Sequence, residues 1–271
     1  MMSCCTLVDS PPAPPSLTAI ARDDKTIFRD GAVFVVDDSV VCGGTKARIL
    51  PSILRSGRYA VADGFQYRSS TYGSAAHVLA RTAPRLLPQP KRALIYEANR
   101  DHENAQLLAC YNPTFVEDIP APGYNAGEYP VLPPGFDSPR MVYEIGVLAA
   151  SVCASVGVGM FDEVWCVSGT GTLVRGLQAA RVTSSEGSQH PIGKQFYAVL
   201  VYPGSSPPIG NAIGIDHDQD ISEKVAKEVK PPFSSNPWYD AKAWKYVLAS
   251  HHANPGKTIL FWNLAGYEHN E

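Results

Sequence analysis

Several features that would assign the chain to a common functional class are missing from its sequence. It has no run of eighteen apolar residues and no charged start that leads into an apolar segment, so we expect neither a transmembrane helix nor a secretory signal. Positive charge is not in excess either, because 23 Lys and Arg face 26 Asp and Glu, for a net charge of −3. No global positive field therefore draws the chain to nucleic acid or to a membrane.

Paired metal or redox motifs are also missing. The six cysteines do not have the spacing of a zinc ribbon or of a CxxC redox site, and four of them lie in apolar or small-residue stretches. We expect reduced thiols in a cytoplasmic protein. Residues 216–218 and the pair His251-His252 resemble solvated polar groups more than metal ligands, so we predict no metal site.

What the sequence does have is an ordinary globular composition, with 45% hydrophobic and 18% charged residues among 271. Residues 1–16 contain four prolines and predict an irregular arm. Strand-like and helix-like segments then alternate, which predicts an α/β fold with largely parallel sheets. The predicted strands are 32–36, 59–62, 93–96, 114–116, 163–167, 197–202 and 258–262. The predicted helices are 46–54, 75–80, 101–110, 141–156, 173–180 and 241–250.

Two stretches rich in proline and glycine interrupt this alternation. Residues 120–139 cannot sustain a regular element, and they predict a boundary between two lobes. Residues 203–214 predict a loop for the same reason.

A glycine loop at residues 42–48 joins a predicted strand to a predicted helix. Gly43 and Gly44 let the backbone approach a ligand closely, and free N–H groups at a helix start attract anions. Lys46 lies at this helix start, where partial desolvation lowers a lysine pKa and makes the amine competent for Schiff-base chemistry. A plain turn followed by a solvated lysine fits the same pattern.

Two further loops have the same strand-to-helix position. One consists of Ser168, Gly169, Thr170, Gly171 and Thr172, and its glycines and hydroxyls are typical of a phosphate site in α/β folds. The other spans residues 69–76 and places hydroxyl groups at a helix start, where a substrate carboxylate is favoured. Each loop is also compatible with a purely structural turn.

In this order, the loops resemble those of the fold-type II pyridoxal-phosphate enzymes, the tryptophan synthase β-like superfamily. The branch with aminocyclopropane-carboxylate deaminase and D-cysteine desulfhydrase looks most similar, and threonine synthase is also close. The Gly-Gly-Asn-Lys-x-Arg motif of that branch resembles residues 43–48, so the family's Schiff-base lysine maps onto Lys46. The family's Ser-Thr-Gly-Asn-Thr-Ala-Ala helix start resembles residues 70–76, its phosphate loop 168–172, and its last strand 259–266.

The chain departs from the family pattern at two cofactor contacts. Gly73 or Ser74 stands where the family has an asparagine beside the ring hydroxyl. Leu264 replaces the hydroxyl residue opposite the pyridine nitrogen, and Asn263 is the candidate substitute. A weakly held pyridine nitrogen makes the ring a poorer electron sink.

The resemblance implies a two-lobed α/β fold with three-layer open parallel sheets. The larger lobe would comprise residues 1–55 and 131–271, and residues 56–130 would form a smaller inserted lobe. Pyridoxal 5'-phosphate would lie between them, joined to Lys46. The resemblance further implies an amino-acid substrate, a homodimer, and elimination, replacement, deamination or decarboxylation as the reaction. The residues implied to bind the substrate are Ser69, Ser70, Thr71, Gly73 and Ser74.

Three alternatives remain open at the level of sequence. A phosphoribosyltransferase would use Asp37 and Asp38 for the ribose hydroxyls and residues 43–45 for the 5-phosphate. A shortened relative, of a kind found in viruses, would process an amino-acid-modified nucleobase in DNA, although the charge of −3 gives that idea no electrostatic support. A non-catalytic remnant would keep the fold without turnover.

Overall fold

Two largely parallel sheets organise the chain. The computed structural model describes residues 17–19, 32–38, 43–68, 74–86, 91–96, 114–116, 129–155, 158–202, 206–217, 223, 225 and 230–264. The strands are β1 (Leu17–Ala19), β2 (Ala32–Asp37), β3 (Gly64–Arg68), β4 (Arg92–Tyr96), β5 (Thr114–Val116), β6 (Val131–Leu132), β7 (Phe161–Ser168), β8 (Arg181–Thr183), β9 (Gln189–Pro191), β10 (Gly193–Leu200), β11 (Ile213–Asp216) and β12 (Thr258–Asn263).

Within the described ranges, six α-helices and three 3-10 turns connect these strands. The helices are α1 (Gly44–Leu54), α2 (Gly57–Ala60), α3 (Ala75–Thr82), α4 (Pro139–Ser155), α5 (Thr172–Ala179) and α6 (Trp244–Ala253). The 3-10 turns are Ala83–Arg85, Pro134–Phe136 and Asp240–Ala243. Within the described ranges, none of these helices combines the length and apolarity needed to cross a membrane.

The larger sheet has the strand order β1-β2-β12-β7-β10-β11, in which only β1 is antiparallel to its neighbour. Alternate residues of a strand point to opposite faces, and both faces of this sheet are covered. Val35 and Phe261 pack on one side with Trp244 of α6. Val36 and Trp262 belong to the core on the other side, which includes residues of α1, α4 and α5. The larger sheet is therefore the middle of three layers.

The smaller sheet has four parallel strands in the order β5-β4-β3-β6. Helix α3 packs between this sheet and α1, so the core that covers one face of the larger sheet continues into the smaller one. The prediction that residues 120–139 hold no regular element is wrong for their described part, because Val131–Leu132 form β6 and Pro134–Phe136 form a 3-10 turn. Strand β6 pairs with β3 in the smaller sheet, whereas the predicted lobe limits assign residues from 131 onward to the larger lobe. The limits of the two lobes themselves remain a prediction.

Most of the predicted elements are present with shifts of a few residues at their ends. The strand predicted at 59–62 is wrong, because Gly57–Ala60 form the short helix α2 and the strand starts only at Gly64. The loop predicted at 203–214 was extended too far, since Ile213 already begins β11. The hairpin of β8 and β9 was missed, and the predicted helix 101–110 lies outside the described residues.

Candidate active site

The candidate site lies at the carboxyl edge of the larger sheet, where open α/β sheets usually bind ligands. Strands β2, β12 and β7 run parallel and end there at Asp37, Asn263 and Ser168. Two adjoining cavities open at this edge, and Lys46 and Leu264 line both of them. The narrower cavity has a volume of about 30 Å³ and the wider one about 280 Å³.

Lys46 occupies the first turn of α1, as the sequence predicted. The preceding Gly43 is left-handed, with φ of 93°, and a Cβ atom there would lie 2.6 Å from Cγ2 of Val78. Glycine at this position thus lets the start of α1 approach α3 closely. Burial lowers the pKa of Lys46 to about 8, while the nearby Asp240 acts in the opposite direction. Near physiological pH, Lys46 is therefore a neutral amine in a larger share of the molecules than an ordinary lysine is.

A buried polar network fixes the helix turn that carries Lys46. Oγ1 of Thr45 donates a hydrogen bond to Asp38 over 2.5 Å and accepts one from Nε1 of Trp262 over 2.9 Å. Nε of Arg48 donates to the other oxygen of Asp38 over 2.8 Å. The network ties α1 to the ends of β2 and β12. It also encloses Asp38, which is fully buried, so this carboxylate is not available for the ribose hydroxyls of the phosphoribosyltransferase alternative.

The loop from Ser168 to Thr172 forms the wall of the narrow cavity and leads into α5. Gly171 is left-handed, with φ of 78°, and a Cβ atom there would overlap the carbonyl oxygen of Pro208. Within the described part of the chain, the buried Oγ of Ser168 has no hydrogen-bond partner. The hydroxyls of Thr170 and Thr172 lie 2.8 Å apart. A glycine-walled helix start with several hydroxyl groups is a suitable cradle for a phosphate.

The wider cavity is lined by residues from both sheets. Tyr67 and Arg68 come from the end of β3, and Ser74 from the start of α3. Tyr202 and Asp240 lie on the side of the larger sheet. Among the described residues, Asp240 is the only carboxylate that lines either cavity, and only 1% of its surface is exposed.

Asp240 and its neighbour Tyr239 were missed as site residues by the sequence. Both lie at the turn before α6, where Tyr239 directly precedes the 3-10 turn Asp240–Ala243. The hydroxyl oxygen of Tyr239 accepts a hydrogen bond from the N–H of Gly169, and burial raises the pKa of Tyr239 well above its usual value. Tyr239 is therefore a neutral phenol that contacts the loop 168–172. The only sequence signal was an acidic residue beside an aromatic one at the start of a helix.

The structure brings together only some of the predicted site residues. Lys46 and the loop 168–172 meet in the narrow cavity, and Ser74 lines the wider one. Ser69, Ser70, Thr71 and Gly73 lie outside the described residues.

Asn263 is placed differently from its predicted role. It is absent from the lining of both cavities, and its side-chain amide is engaged elsewhere. Its Nδ2 donates to the carbonyl oxygen of Ser234 over 2.7 Å, and its Oδ1 accepts from Ser235 over 2.8 Å. Its amide therefore helps to hold the segment before α6 against the end of β12.

No protein-family model and no curated protein matches the sequence. Solved structures, in contrast, match over nearly the whole chain. An ACC deaminase homologue has a TM-score of 0.72 at 15% identity, with 94% of this chain and 90% of that chain covered. An O-acetylserine-dependent cystathionine β-synthase from Helicobacter pylori has a TM-score of 0.68 at 11% identity, with 97% of both chains covered. A pyridoxal 5'-phosphate-dependent aspartate racemase has a TM-score of 0.58 at 12% identity, with 93% and 90% covered.

These similarities extend over both sheets and agree with the resemblance that the glycine loops indicated. The predicted fold class is thereby confirmed. The chain has the α/β fold of the fold-type II pyridoxal-phosphate enzymes.

Proposed function

We propose that the chain is a pyridoxal-phosphate-dependent enzyme that acts on an amino acid, with Lys46 as the lysine that bonds to the cofactor. The observation that supports this most directly is the position of Lys46. It lies where a narrow glycine-walled cradle meets a wider cavity that contains one buried carboxylate. Few other cofactors need an anion site, a lysine of lowered pKa and a buried acid within one cleft.

The residues present are suited to the parts of this cofactor. The loop 168–172 would hold the phosphate through the unpartnered hydroxyl of Ser168 and the helix start of α5. Asp240 would stabilise the protonated ring nitrogen, because a carboxylate is the natural partner of a pyridinium. Asp240 thus replaces Asn263 as the proposed partner of the ring nitrogen, because the amide of Asn263 is bound to Ser234 and Ser235. The bound cofactor would supply an electron sink for the bonds at the substrate Cα.

Lys46 would serve as the proton carrier of the reaction. Its pKa of about 8 allows the side chain to gain and lose a proton near neutral pH. Tyr239 stays protonated and orients the phosphate loop through Gly169. The network of Asp38, Thr45 and Arg48 prevents the first turn of α1 from shifting when Lys46 changes its bonding.

The choice between elimination, replacement, deamination and decarboxylation depends on how the substrate is oriented. The matched structures include an ACC deaminase homologue and a diaminopropionate ammonia lyase, so we propose lyase- or deaminase-like chemistry. A cytoplasmic location and a homodimer remain predictions from the sequence. The described residues of the cleft include one carboxylate and two cationic side chains, which suits a small zwitterionic substrate.

The visible absorption spectrum of the purified protein, compared with that of Lys46→Ala, tests the proposal. We expect a long-wavelength cofactor band in the wild type that is absent from the variant and that shifts when a suitable amino acid is added. Lys91→Ala is a matched control, because Lys91 is a buried lysine that lines neither cavity and whose Nζ donates to the carbonyl oxygens of Tyr59 and Ala60. A protein that remains colourless with added pyridoxal phosphate would contradict the proposal.

The pH dependence of cofactor binding provides a second readout. Since only the neutral amine of Lys46 can attack the cofactor aldehyde, the rate at which the band develops should rise with pH. It should reach half of its maximum near pH 8 and level off about one pH unit higher, because the folded-state pKa is about 8 and not the 10.5 of an ordinary lysine. A rate that continues to rise beyond pH 10 would show that Lys46 is not desolvated. Stopped-flow absorbance measurements between pH 6 and 10.5 would determine the profile.

A further inference from the structure

An ion pair between Asp137 and Arg175 lies beside the loop 168–172, and the proposed chemistry gives this pair no role. We propose that Asp137 is a positioning residue for the cofactor phosphate and that it acts through Arg175 on the peptide between Gly171 and Thr172. This inference rests on the proposed function, because it concerns the loop that would hold that phosphate.

Arg175 fixes the direction of a backbone N–H group at the start of α5. The carbonyl oxygen of Gly171 accepts two hydrogen bonds from Arg175, one from its backbone N–H over 3.1 Å and one from its Nε over 3.3 Å. Because a trans peptide is planar, the N–H of Thr172 points away from this carbonyl and out of the helix start. Thr172 lines the narrow cavity together with Ser168, whose hydroxyl is buried. The two contacts of Arg175 thus hold a helix-start donor in a direction that suits a bound anion.

Asp137 holds the side chain of Arg175 in the position from which it reaches Gly171. Oδ1 of Asp137 accepts a hydrogen bond from Nη2 of Arg175, while Nε of the same guanidinium donates to Gly171. The side chains of Arg175 and Asp137 are 27% and 32% exposed, so solvent and salt screen their charges only in part. A planar guanidinium that is held at two points cannot rotate away from the carbonyl. Without Asp137, the long side chain of Arg175 would gain rotamer freedom and leave Gly171 more often.

The turn Pro134–Phe136, which leads into Asp137, lies directly against the loop. Gly135 and Phe136 are both left-handed, with φ of 63° and 60°, and Phe136 is the only non-glycine residue with a positive φ in the described part of the chain. A Cβ atom on Gly135 would lie 2.6 Å from Oγ1 of Thr170. A left-handed conformation is unfavourable for a bulky residue, and it persists where the surroundings enforce it, often at functional sites. This conformation brings the turn into contact with the loop that Asp137 is proposed to position.

The other side of the turn is attached to the smaller sheet. The backbone N–H of Gly135 donates a hydrogen bond to the hydroxyl of Tyr67 over 3.1 Å, and the ring of Phe136 packs on that of Tyr67 at a centroid distance of 5.2 Å. Tyr67 belongs to β3, which is paired on both sides, with β4 and β6. Asp137 therefore extends from a rigid base, and its carboxylate loses little entropy when it holds Arg175.

Titration of the protein with pyridoxal phosphate and with pyridoxal, which lacks the phosphate, tests the proposal. The readout is the absorbance of the band that each aldehyde forms with Lys46. For Asp137→Asn we expect the affinity for pyridoxal phosphate to fall roughly five- to tenfold, the effect of about one lost hydrogen bond. The affinity for pyridoxal should stay unchanged. The direction of the change is informative, because removal of a negative charge near a phosphate would by electrostatics alone raise the affinity.

Arg175→Lys is the second variant, because it keeps the positive charge but lacks the planar fork that reaches Asp137 and Gly171 together. It should also weaken the binding of pyridoxal phosphate and leave that of pyridoxal unchanged. Glu144→Gln is the matched control. It removes a carboxylate from an ion pair with another arginine, Arg140, on α4, and neither residue lines a cavity. Both affinities should stay at the wild-type values in this control.

The failure of this proposal is distinguishable from failure of the proposed function. If Asp137→Asn binds pyridoxal phosphate as tightly as the wild type or more tightly, the role of Asp137 is overturned and the proposed function stays intact. Equal weakening of both aldehydes in Asp137→Asn would also overturn it, because Asp137 would then support the cavity in general and not the phosphate contact. A wild type that develops no band with either aldehyde would overturn the proposed function and this inference with it.

Discussion

The two edges of the larger sheet, where its strands begin and where they end, differ in how fully their buried polar groups are hydrogen-bonded. At the amino edge, the buried carboxylate of Glu163 accepts three hydrogen bonds, from Nε1 of Trp165, Oγ of Ser250 and Nζ of Lys257, at 2.8, 2.6 and 2.7 Å. The neighbouring Asp162 accepts two hydrogen bonds from Thr258. Such a network stabilises the fold because each buried charge there has partners.

At the carboxyl edge, the same strands end in glycine loops and cavities. The buried hydroxyl of Ser168 has no partner within the described ranges, and burial holds the pKa of Lys46 near 8. Unpartnered and desolvated groups reduce the stability of a fold, and they are common where a ligand completes the interactions. The comparison indicates that the amino edge serves the fold alone, whereas the carboxyl edge combines the network around Asp38 with groups that are prepared for binding.

Among the variants that test the separate roles of the two edges, Gly171→Ala should have the largest effect. The new methyl group would overlap the carbonyl of Pro208, and φ of 78° is unfavourable for alanine, so the loop 168–172 must shift. Loss of one or two phosphate hydrogen bonds should weaken cofactor binding about 100-fold. Equilibrium titration with pyridoxal phosphate, followed by absorbance, would measure the change.

Gly187→Ala provides the control for backbone strain. Gly187 has φ of 82°, close to that of Gly171, but a Cβ atom there has open space around it. We expect this variant to lose about 1 kcal/mol of unfolding free energy from the strained backbone and to bind the cofactor as the wild type does. Equal weakening of cofactor binding in both variants would mean that strain, and not the loop, controls affinity.

An effect of comparable size is expected at the opposite edge, from Glu163→Ala. It leaves the indole N–H of Trp165 and the hydroxyl of Ser250 without their acceptor, so the free energy of unfolding should fall by about 2–4 kcal/mol. Cofactor affinity should stay unchanged. Lys194→Ala is the control, because its ion pair with Asp162 is largely exposed and should contribute less than about 1 kcal/mol. Urea denaturation would measure both variants.

The contribution of Glu163 should also depend on pH. Burial raises the pKa of Glu163, but hydrogen bonds from Lys257, Ser250 and Trp165 more than offset this, and the net pKa lies below the ordinary 4.5. A carboxylate with a lowered folded-state pKa stabilises the fold above the unfolded-state value, and this stability is lost as pH falls through the folded-state value. The advantage of the wild type over Glu163→Ala should therefore be complete above about pH 5 and shrink in more acidic solution.

The sequence predicted the carboxyl edge better than the amino edge. Lys46 and the loop 168–172 follow local rules, because glycine and hydroxyl residues between a strand and a helix have a recognisable pattern. Asp240 was missed because its place in the cavity depends on a turn that packs near Cys166 and Gly169, which are distant in the sequence. No local sequence pattern predicts a contact of this kind.

The network at the amino edge could not be predicted either, because it also joins residues that are distant in the sequence. Glu163 and Lys257 are 94 positions apart and meet only because β7 and β12 are adjacent. The strand predicted at 59–62 failed because its apolar, aromatic composition suits a strand, whereas Gly57 begins a short helix there. In both cases the local propensity of the sequence did not predict what the folded chain forms.

The smallest effects are expected from replacing one serine at each edge, and this pair compares the two edges most directly because the residue type is the same. Ser168→Ala removes a buried hydroxyl that lacks a described partner, so the free energy of unfolding should stay the same or rise by about 1 kcal/mol. Cofactor affinity should fall roughly tenfold through loss of one phosphate contact. Ser250→Ala removes a donor to Glu163, so stability should fall by about 1 kcal/mol with cofactor affinity unchanged. If both variants changed the same property, the two edges of the sheet would not have separate roles.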